Sequence, residues 1–268
     1  MEQLKRSDSI RWPEKYRLLG IDVSRTDYDD AVKAVIQAAQ QRIPAIVTHL
    51  PIHGIVVASR DADLGAKINS FDIVAPDGHP VRWALNMLYK TKLADRVYGP
   101  EMMLRLTRRA AETGVGVFLY GSSPEVVEKL SMNLIRLFPS VRIAGYESPP
   151  YRRLTEREDD AAVARINGSE AGLIFLGLGC PLQDIFAYEH RDSIKGVQVC
   201  VGAAFDFHAG TKKIAPGWMQ RNGLEWFYRL TQEPGRLWRR YLITNSIFLA
   251  KVFREIVLSK FSGSERHK

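Results

Sequence analysis

The sequence is poor in cysteine and histidine. Cys180 and Cys200 are the only two cysteines among 268 residues, and each lies inside an apolar run of the kind that forms a buried strand. Both are therefore expected to be buried free thiols rather than a disulfide or a metal pair. The six histidines are scattered without the spacing of metal ligands. Neither a structural nor a catalytic metal is indicated.

Long apolar segments are also missing. Residues 1–14 are polar and lack the apolar core of a secretory signal peptide, which predicts a protein that stays in the cytosol. Residues 241–250 form an uncharged, mostly apolar run of ten residues, whereas a bilayer span needs roughly 20. We expect this run to lie on a membrane, or to dip into it, without crossing.

Positive charge is concentrated in the last fifth of the chain. The whole chain has 38 Lys and Arg and 30 Asp and Glu, and residues 212–268 hold 12 of these cations but only 4 of the acids. Residues 1–211 are therefore neutral. Three of the five tryptophans also lie in 212–268. The residues predicted to contact a membrane or a lipid-linked acceptor are Arg229, Arg236, Trp238, Arg239, Arg240 and Tyr241.

Cations interleaved with aromatic residues suit an anionic membrane surface, where the rings lie at the level of the headgroups. The same composition occurs in grooves for single-stranded nucleic acid, but such grooves are usually built into the folded body, and this body is neutral. A pair of C-terminal helices that simply packs on the body is the third interpretation. The sequence favours the membrane surface and does not predict nucleic-acid binding.

Short apolar runs alternate with longer amphipathic ones along residues 1–211. Nearly continuous apolar runs of this length are typical of strands buried on both faces of a parallel sheet, so we predict an α/β fold of three layers. A helical appendage should follow from residue 212, with Pro234 dividing it into two helices. The predicted strands are 45–50, 71–75, 115–120, 141–146, 173–178 and 197–203, and the predicted helices include 100–112, 124–138 and 155–167.

Ligands of open α/β sheets bind at the carboxyl ends of the strands. Four loops there carry glycine or polar side chains. Taken one at a time, each has a plain structural explanation as a turn, a helix N-cap or a structural carboxylate. The loops hold Asp77 and Gly78 after the second run, Gly121 and Ser122 after the third, Gly179 and Gln183 after the fifth, and Asp206 after the last.

Together with segments further along, these loops resemble the WecG/TagA/CpsF glycosyltransferase family over about residues 20–241. The resemblance implies a Rossmann-like fold and inverting transfer from a UDP-sugar to a polyprenyl-diphosphate-linked saccharide. It also implies that the reaction needs no metal or other cofactor, and that a basic C-terminal appendage binds the cytoplasmic face of the plasma membrane. The matching motifs are Pro76-Asp77-Gly78, Arg96-Val97-x-Gly99, Gly177-x-Gly179-x-Pro181-x-Gln183, Phe205-Asp206-x-x-x-Gly210 and Leu224-Glu225-Trp226-x-x-Arg229.

The resemblance also implies roles for individual residues. Asp77 matches the base that takes the acceptor's proton, and Arg96 matches an arginine that meets the charge of the departing UDP, as a guanidinium fork can. Thr48 and Gln183 match positions lining the donor pocket. The remaining residues expected to bind substrate are Gly78, Gly121, Ser122, Gly179 and Asp206.

One departure concerns the donor sugar. The family usually has Thr-x-Asn at the end of the first strand, whereas this chain has Thr48-His49-Leu50. Loss of an amide at this position makes a neutral hexose such as glucose at least as good a candidate as N-acetylmannosamine. The expected product is an exopolysaccharide, capsule or cell-wall polymer precursor.

Three further hypotheses follow from shorter motifs or from the fold alone. Asp61-x-Asp63 fits a metal-binding pattern of other glycosyltransferases, but it lies where a helix is expected to begin. Gly177-x-Gly179 lacks the third glycine of a dinucleotide fingerprint. A membrane-surface binding protein without activity is the alternative to an enzyme, and a homo-oligomer is compatible with either.

Overall fold

A six-stranded, entirely parallel sheet forms the centre of the computed structural model, which describes residues 10–261 with side chains as far as Leu258. The chain begins with a separate antiparallel hairpin of β1 (Lys15–Leu18) and β2 (Ile21–Ser24). The strands of the main sheet are β3 (Ala45–Leu50), β4 (Ile73–Pro76), β5 (Gly116–Gly121), β6 (Arg142–Glu147), β7 (Leu173–Gly177) and β8 (Val197–Cys200). Their order across the sheet is β4-β3-β8-β7-β5-β6.

Helices cover both faces of this sheet. One face packs against α1 (Tyr28–Gln40), α5 (Gly99–Thr113), α6 (Pro124–Leu137) and α9 (Ala204–Ala209). The other face packs against α2 (Ile52–Ala58), α3 (Ala62–Asn69), α4 (His79–Tyr89), α7 (Glu156–Gly168) and α8 (Leu182–Glu189). Within β3, Ala45 and Val47 face the first layer and Ile46 faces the second. The predicted three-layer α/β architecture with buried parallel strands is confirmed.

Strand β3 has the predicted bounds, and the other five strands overlap their predicted runs. The last run was predicted too long, because the strand ends at Cys200 and Gly202 then turns the chain with a φ of +50° into α9. The hairpin was not predicted, since its strands are only four residues long and half polar. Cys180 and Cys200 are free thiols, as predicted, but of the two only Cys200 is fully buried; Cys180 follows β7 and is partly exposed.

Over its described residues, 212–261, the basic C-terminal segment forms three helices. They are α10 (Gly217–Arg221), α11 (Glu225–Gln232) and α12 (Pro234–Phe261). Pro234 separates the last two, as predicted, because a proline is accommodated at the first position of a helix but not within it. The short α10 was not predicted.

Helix α12 packs along the body of the fold. It contacts α2 and α4, and it buries Phe248 and Val252 in the same apolar layer. The tail is thus in contact with the body, while its division into a separate unit at residue 212 stays a prediction. Along residues 10–261, no helix combines the length and apolar character needed to cross a bilayer.

Phe248→Ala should destabilise the whole fold and not only the tail. A buried phenylalanine replaced by alanine typically costs about 3–5 kcal/mol, and Phe248 is fully buried between α12 and the body. Thermal unfolding followed by circular dichroism should show a lower Tm for the main transition. Phe253→Ala on the exposed side of the same helix is the matched control and should change stability by about 0.5 kcal/mol or less. An unchanged main transition in Phe248→Ala would contradict this packing.

Candidate active site

Asp77 lies at the carboxyl edge of the sheet, between the ends of β3 and β4. Its backbone N–H donates to the Leu50 carbonyl at 3.3 Å, and its Oδ2 accepts from the Gly99 N–H at 3.4 Å. Gly78 follows as the N-cap of α4 with a φ of +95°, a conformation that favours glycine. The Pro-Asp-Gly turn therefore fixes the carboxylate at the place where ligands of parallel sheets bind.

The Asp77 side chain is only 15% exposed, and this removal from water raises the pKa of its carboxyl to about 6. The Arg96 guanidinium opposes this shift from 4.0 Å, whereas repulsion by Glu225 adds to it. At pH 7 the group is mostly ionised, yet it is a stronger base than an exposed aspartate with a pKa near 3.9. Asp77 is suited to accept a proton from a hydroxyl at neutral pH.

Arg96 is a buried cation shared by two carboxylates. Its Nη2 donates to Glu225 Oε2 at 2.5 Å, a shorter separation than the 4.0 Å between Nη1 and Asp77 Oδ1. The guanidinium also lies over the Tyr98 ring, 4.3 Å from its centre. Arg96 thus joins Asp77 to Glu225, which belongs to α11, and its contact with a diphosphate stays a prediction.

Two cavities meet at Asp77. The first, here called the aromatic cavity, has a volume of about 310 Å³ and is lined by Trp83, Trp226 and Tyr241 together with Arg96 and Gly78. The second, here called the glycine-loop cavity, has a volume of about 440 Å³. Its predicted lining residues are Ser122, Gly179, Gln183 and Asp206. The residues common to both cavities are Pro51, Asp77, Tyr98, Arg229 and Arg240.

Glycines bring backbone close to the glycine-loop cavity. Gly121 has a φ of +133°, and a Cβ there would lie 2.6 Å from the carbonyl carbon of Gly177 on the adjacent strand. The chain then presents Ser122 and Ser123 to the cavity, and Ser123 caps α6 through the Val126 N–H at 3.3 Å. Gly179, with a φ of +80°, faces open space. A helix N-terminus and unobstructed backbone suit an anionic ligand.

Four cations of the tail surround the same space. Arg229 and Arg240 line both cavities, while Lys212 and Arg236 line the glycine-loop cavity. Lys212 lies 3.6 Å from Asp206 and 3.4 Å from Glu233, and Arg236 also pairs with Glu233. Asp206 is therefore the ion-pair partner of a cavity cation.

Arg229 and Arg240, the two arginines that line both cavities, differ from Lys212 and Arg236 in their ion-pair partners. Within residues 10–258, neither Arg229 nor Arg240 has a carboxylate within 4.0 Å, and the buried Arg240 Nε has no hydrogen-bond partner. Burial lowers the pKa of Arg240, and the charges of Arg229 and Arg236 lower it further. This cluster of like charges is stabilised by an anion placed between its members.

Thr48 and Leu50 lie behind the cavities. Thr48 is fully buried and donates to Asp184 Oδ1 at 2.5 Å, so it supports α8 and lines neither cavity. Leu50 is buried in the apolar layer against Gly54 of α2. The side chain at the family's Asn position therefore lines neither cavity and gives no reason to prefer glucose, and the identity of the donor sugar stays a prediction.

The other tail residues are divided between the cavity and the surface. Tyr241 lines the aromatic cavity and makes an edge contact with Trp226, with ring centres 6.1 Å apart. Trp238 is half exposed and lies beside Arg239, whose guanidinium is 5.2 Å from its ring. Neither Trp238 nor Arg239 lines the aromatic cavity or the glycine-loop cavity.

Asp61 and Asp63 have local structural roles. Asp61 is the N-cap of α3 and accepts from the N–H groups of Asp63 and Leu64, each at 3.1 Å. Asp63 pairs with Lys67 one turn later at 2.6 Å. Over the part of the chain that the structure describes, no three His, Cys, Asp or Glu side chains are grouped as a metal site.

Sequence reasoning missed the roles of Glu225 and Trp83. Glu225 was part of a matched motif, but no role was assigned to it; its position as a rare acid within a cationic segment is the signal that could have identified it. Trp83 lies on α4 six residues after Asp77, and only the fold brings it into the same cavity wall as Trp226.

The sequence is similar to a family of glycosyltransferases over most of its length. The model of the glycosyl transferase WecG/TagA/CpsF family matches residues 16–261. One relative is the N-acetylglucosaminyldiphosphoundecaprenol N-acetyl-beta-D-mannosaminyltransferase of Bacillus subtilis, 32% identical over 206 residues, which are 75% of this chain and 77% of the relative. A protein of the same name from Bacillus spizizenii is 33% identical over 178 residues, 66% of each chain.

The family match covers nearly the whole described chain, including β4 with Asp77, the loop that carries Arg96, and all three tail helices. Both cavities and the residues between them thus lie inside the matched region. The resemblance drawn from the motifs is confirmed: the chain belongs to the WecG/TagA/CpsF glycosyltransferase family.

Proposed function

We propose that the protein is an inverting glycosyltransferase that moves a hexose or N-acetylhexosamine from a UDP-sugar to a polyprenyl-diphosphate-linked saccharide. The observation that carries this proposal is the position of Asp77 on the wall common to two cavities of different chemistry. A transferase must bring a donor and an acceptor to one base, and here two binding spaces meet at one buried carboxylate with a raised pKa.

The UDP-sugar binds in the glycine-loop cavity. The α6 N-terminus and the open backbone at Gly179 suit the nucleotide. Arg229 and Arg240, which lack carboxylate partners among residues 10–258, lie between this cavity and Asp77 and meet the diphosphate. Cationic side chains can stabilise the leaving diphosphate without a metal ion.

The acceptor saccharide binds in the aromatic cavity. Trp83, Trp226 and Tyr241 offer ring faces and edges to the apolar faces of a sugar. A hydroxyl placed against Asp77 gives up its proton to the carboxylate while its oxygen attacks the anomeric carbon of the donor sugar. The bond from that carbon to the UDP oxygen breaks on the opposite side, so configuration is inverted and UDP leaves with the electron pair.

The donor sugar is best sought first among N-acetylhexosamines. Both relatives are named as N-acetylmannosaminyltransferases, and Leu50 gives no reason to depart from them because it lies in the core. UDP-N-acetylmannosamine and UDP-glucose are the two donors to compare. Transfer to a lipid-linked acceptor makes the product a precursor of a cell-wall, capsular or exopolysaccharide polymer.

The exposed side of α12 supports attachment to a membrane surface. Trp238, Leu242, Leu249 and Phe253 lie within a narrow stripe of the helix and are each about half exposed or more. Arg239 and Arg254 are exposed and lie to one side of this stripe. An apolar stripe bordered by cations suits a helix lying in the interface of an anionic bilayer. We therefore place the protein at the cytoplasmic face of the plasma membrane.

Asp77→Asn should lower kcat by about 10²–10⁴ and leave the Kd for UDP within a few fold, because the amide cannot take the acceptor's proton. In the wild type, kcat should fall as the pH drops through about 6, where Asp77 becomes protonated. UDP release with a synthetic polyprenyl-diphosphate acceptor measures kcat in the variant and the pH dependence of kcat in the wild type. Asp63→Asn, which removes an exposed carboxylate on α3, is the matched control. Wild-type turnover in Asp77→Asn would favour the non-catalytic alternative.

Activity should survive an excess of EDTA. Replacing a cation that meets the diphosphate should instead impair the reaction: Arg240→Gln should raise the KM for the donor and lower kcat. Arg240 lines both cavities and lacks a carboxylate partner among the described side chains, so its loss removes charge from the leaving diphosphate. Removal of one such donor typically costs about 10²–10³ in kcat. Activity that disappears with EDTA and returns with Mn²⁺ would contradict metal independence.

Leu249→Glu/Phe253→Glu should abolish sedimentation with anionic vesicles at low and high salt, because the apolar contact is lost. Arg239→Glu/Arg254→Glu should weaken binding at low salt only, since each cation near the surface contributes about 1 kcal/mol and is screened by salt. Met132→Glu, an exposed apolar position on α6, is the control and should leave binding unchanged. Full vesicle binding by the Leu249→Glu/Phe253→Glu variant would contradict the membrane proposal.

A further inference from the structure

Glu225 is a buried carboxylate in a segment that is otherwise rich in cations. It is the first residue of α11, where a negative charge is favoured by the helix dipole. Burial removes it from water, and a buried charge is strongly unfavourable unless it is paired. Its partner is Arg96, 129 positions away in the sequence, at 2.5 Å. The tail therefore delivers one carboxylate into the active site.

This carboxylate competes with Asp77 for a single cation. Arg96 Nη2 is 2.5 Å from Glu225, whereas Nη1 is 4.0 Å from Asp77, a distance longer than a hydrogen bond. An aspartate paired directly with arginine has its pKa lowered by about 1–3 units. Such an aspartate would be a weaker base. The geometry instead leaves Asp77 near the guanidinium but free of a direct hydrogen bond from it.

We propose that Glu225 is a positioning residue for the transfer reaction: by holding Arg96, it keeps this cation from pairing directly with Asp77 and so preserves Asp77 as the base. This inference rests on the proposed role of Asp77. It also means that the base reaches its working state only when α11 is docked on the body. Glu225 itself lines the aromatic cavity alone, whereas Asp77 lines both, so Asp77 is the carboxylate that reaches the donor and the acceptor.

Other groups around Asp77 do not substitute for Glu225. The tyrosines near Asp77 stay neutral at physiological pH because burial raises their pKa, and Arg229 is a cation that acts in the opposite direction. The charged or titratable groups that face Asp77 or line the two cavities beside it are Arg96, Glu225, Arg229, Tyr28, Tyr98, His49, His53, His79, Cys180, Cys200, Asp206, Lys212, Arg236, Arg240, Tyr151 and Tyr241. Among these, Glu225 is the carboxylate that binds Arg96.

Glu225→Gln keeps the shape of the side chain and removes its charge. The pKa of Asp77, about 6 in the wild type, should then fall by about 1 unit or more, since Arg96 becomes available to Asp77. Carbon-13 NMR of protein labelled at the aspartate carboxyl carbons measures this pKa directly, with Asp77→Asn identifying the resonance. With Arg96→Gln already present, Glu225→Gln should shift the pKa of Asp77 less than it does alone.

The matched control is Glu147→Gln, which removes a partly buried glutamate paired with Arg165 on the far edge of the sheet and should leave the pKa of Asp77 unchanged. Glu225→Asp keeps the charge but withdraws it by one methylene, and it should give an intermediate pKa of Asp77; this variant provides the test if Glu225→Gln does not fold. An Asp77 pKa that is the same in the wild type and in the Glu225 variant that folds would overturn the proposal.

Kinetics provide a second readout. In Glu225→Gln the acid limb of the kcat profile should move to lower pH together with the pKa of Asp77, and the plateau should fall about three- to tenfold because the base is weaker. The KM for the donor should stay within about twofold. Loss of turnover as deep as in Asp77→Asn, with no change in the pKa of Asp77, would identify Glu225 as the base and overturn the proposal. The NMR titration needs no turnover, so failure of the proposed activity is separable from failure of this inference.

Discussion

The active site depends on one buried cation held between two carboxylates. Arg96 binds Glu225 directly and lies 4.0 Å from Asp77. Three charges buried together are stable only if each has a partner, because an unpaired ion in this environment costs several kcal/mol. Removing Arg96 leaves two carboxylates without a counterion, whereas removing Glu225 leaves Arg96 to Asp77 alone. The ion pair therefore links the docking of the tail to the electrostatic state of the residue that we propose as the base.

The parallel sheet gives this cluster its place. The carboxyl ends of β3, β4, β7 and β8 meet at one edge, so short loops that are distant in sequence surround a common space. The segments that follow these strands supply backbone and the carboxylates Asp77 and Asp206 but few cations, in keeping with the neutrality of residues 1–211. The cations Arg229 and Arg240 come from the tail. Neither part of the chain contains the whole site, which explains why the excess charge lies where it does.

The architecture was predictable because buried parallel strands leave nearly continuous apolar runs, as in β3. The position of Asp77 was predictable for the same reason, since it directly follows such a run. The orientation of side chains was not. Thr48 and Leu50 share one face of β3 and point into the protein, which a motif match does not reveal. The pairing of Arg96 with Glu225 depends on how α11 docks, and neither residue's local sequence specifies that contact.

A crystal structure of the protein with bound UDP would show whether the donor and the acceptor occupy separate cavities. We expect UDP in the glycine-loop cavity, with its diphosphate within hydrogen-bond distance of Arg229 or Arg240 and its terminal phosphate directed toward Asp77. The aromatic cavity should remain open for the acceptor. UDP bound among Trp83, Trp226 and Tyr241 in the aromatic cavity, or bound away from Asp77, would contradict the account.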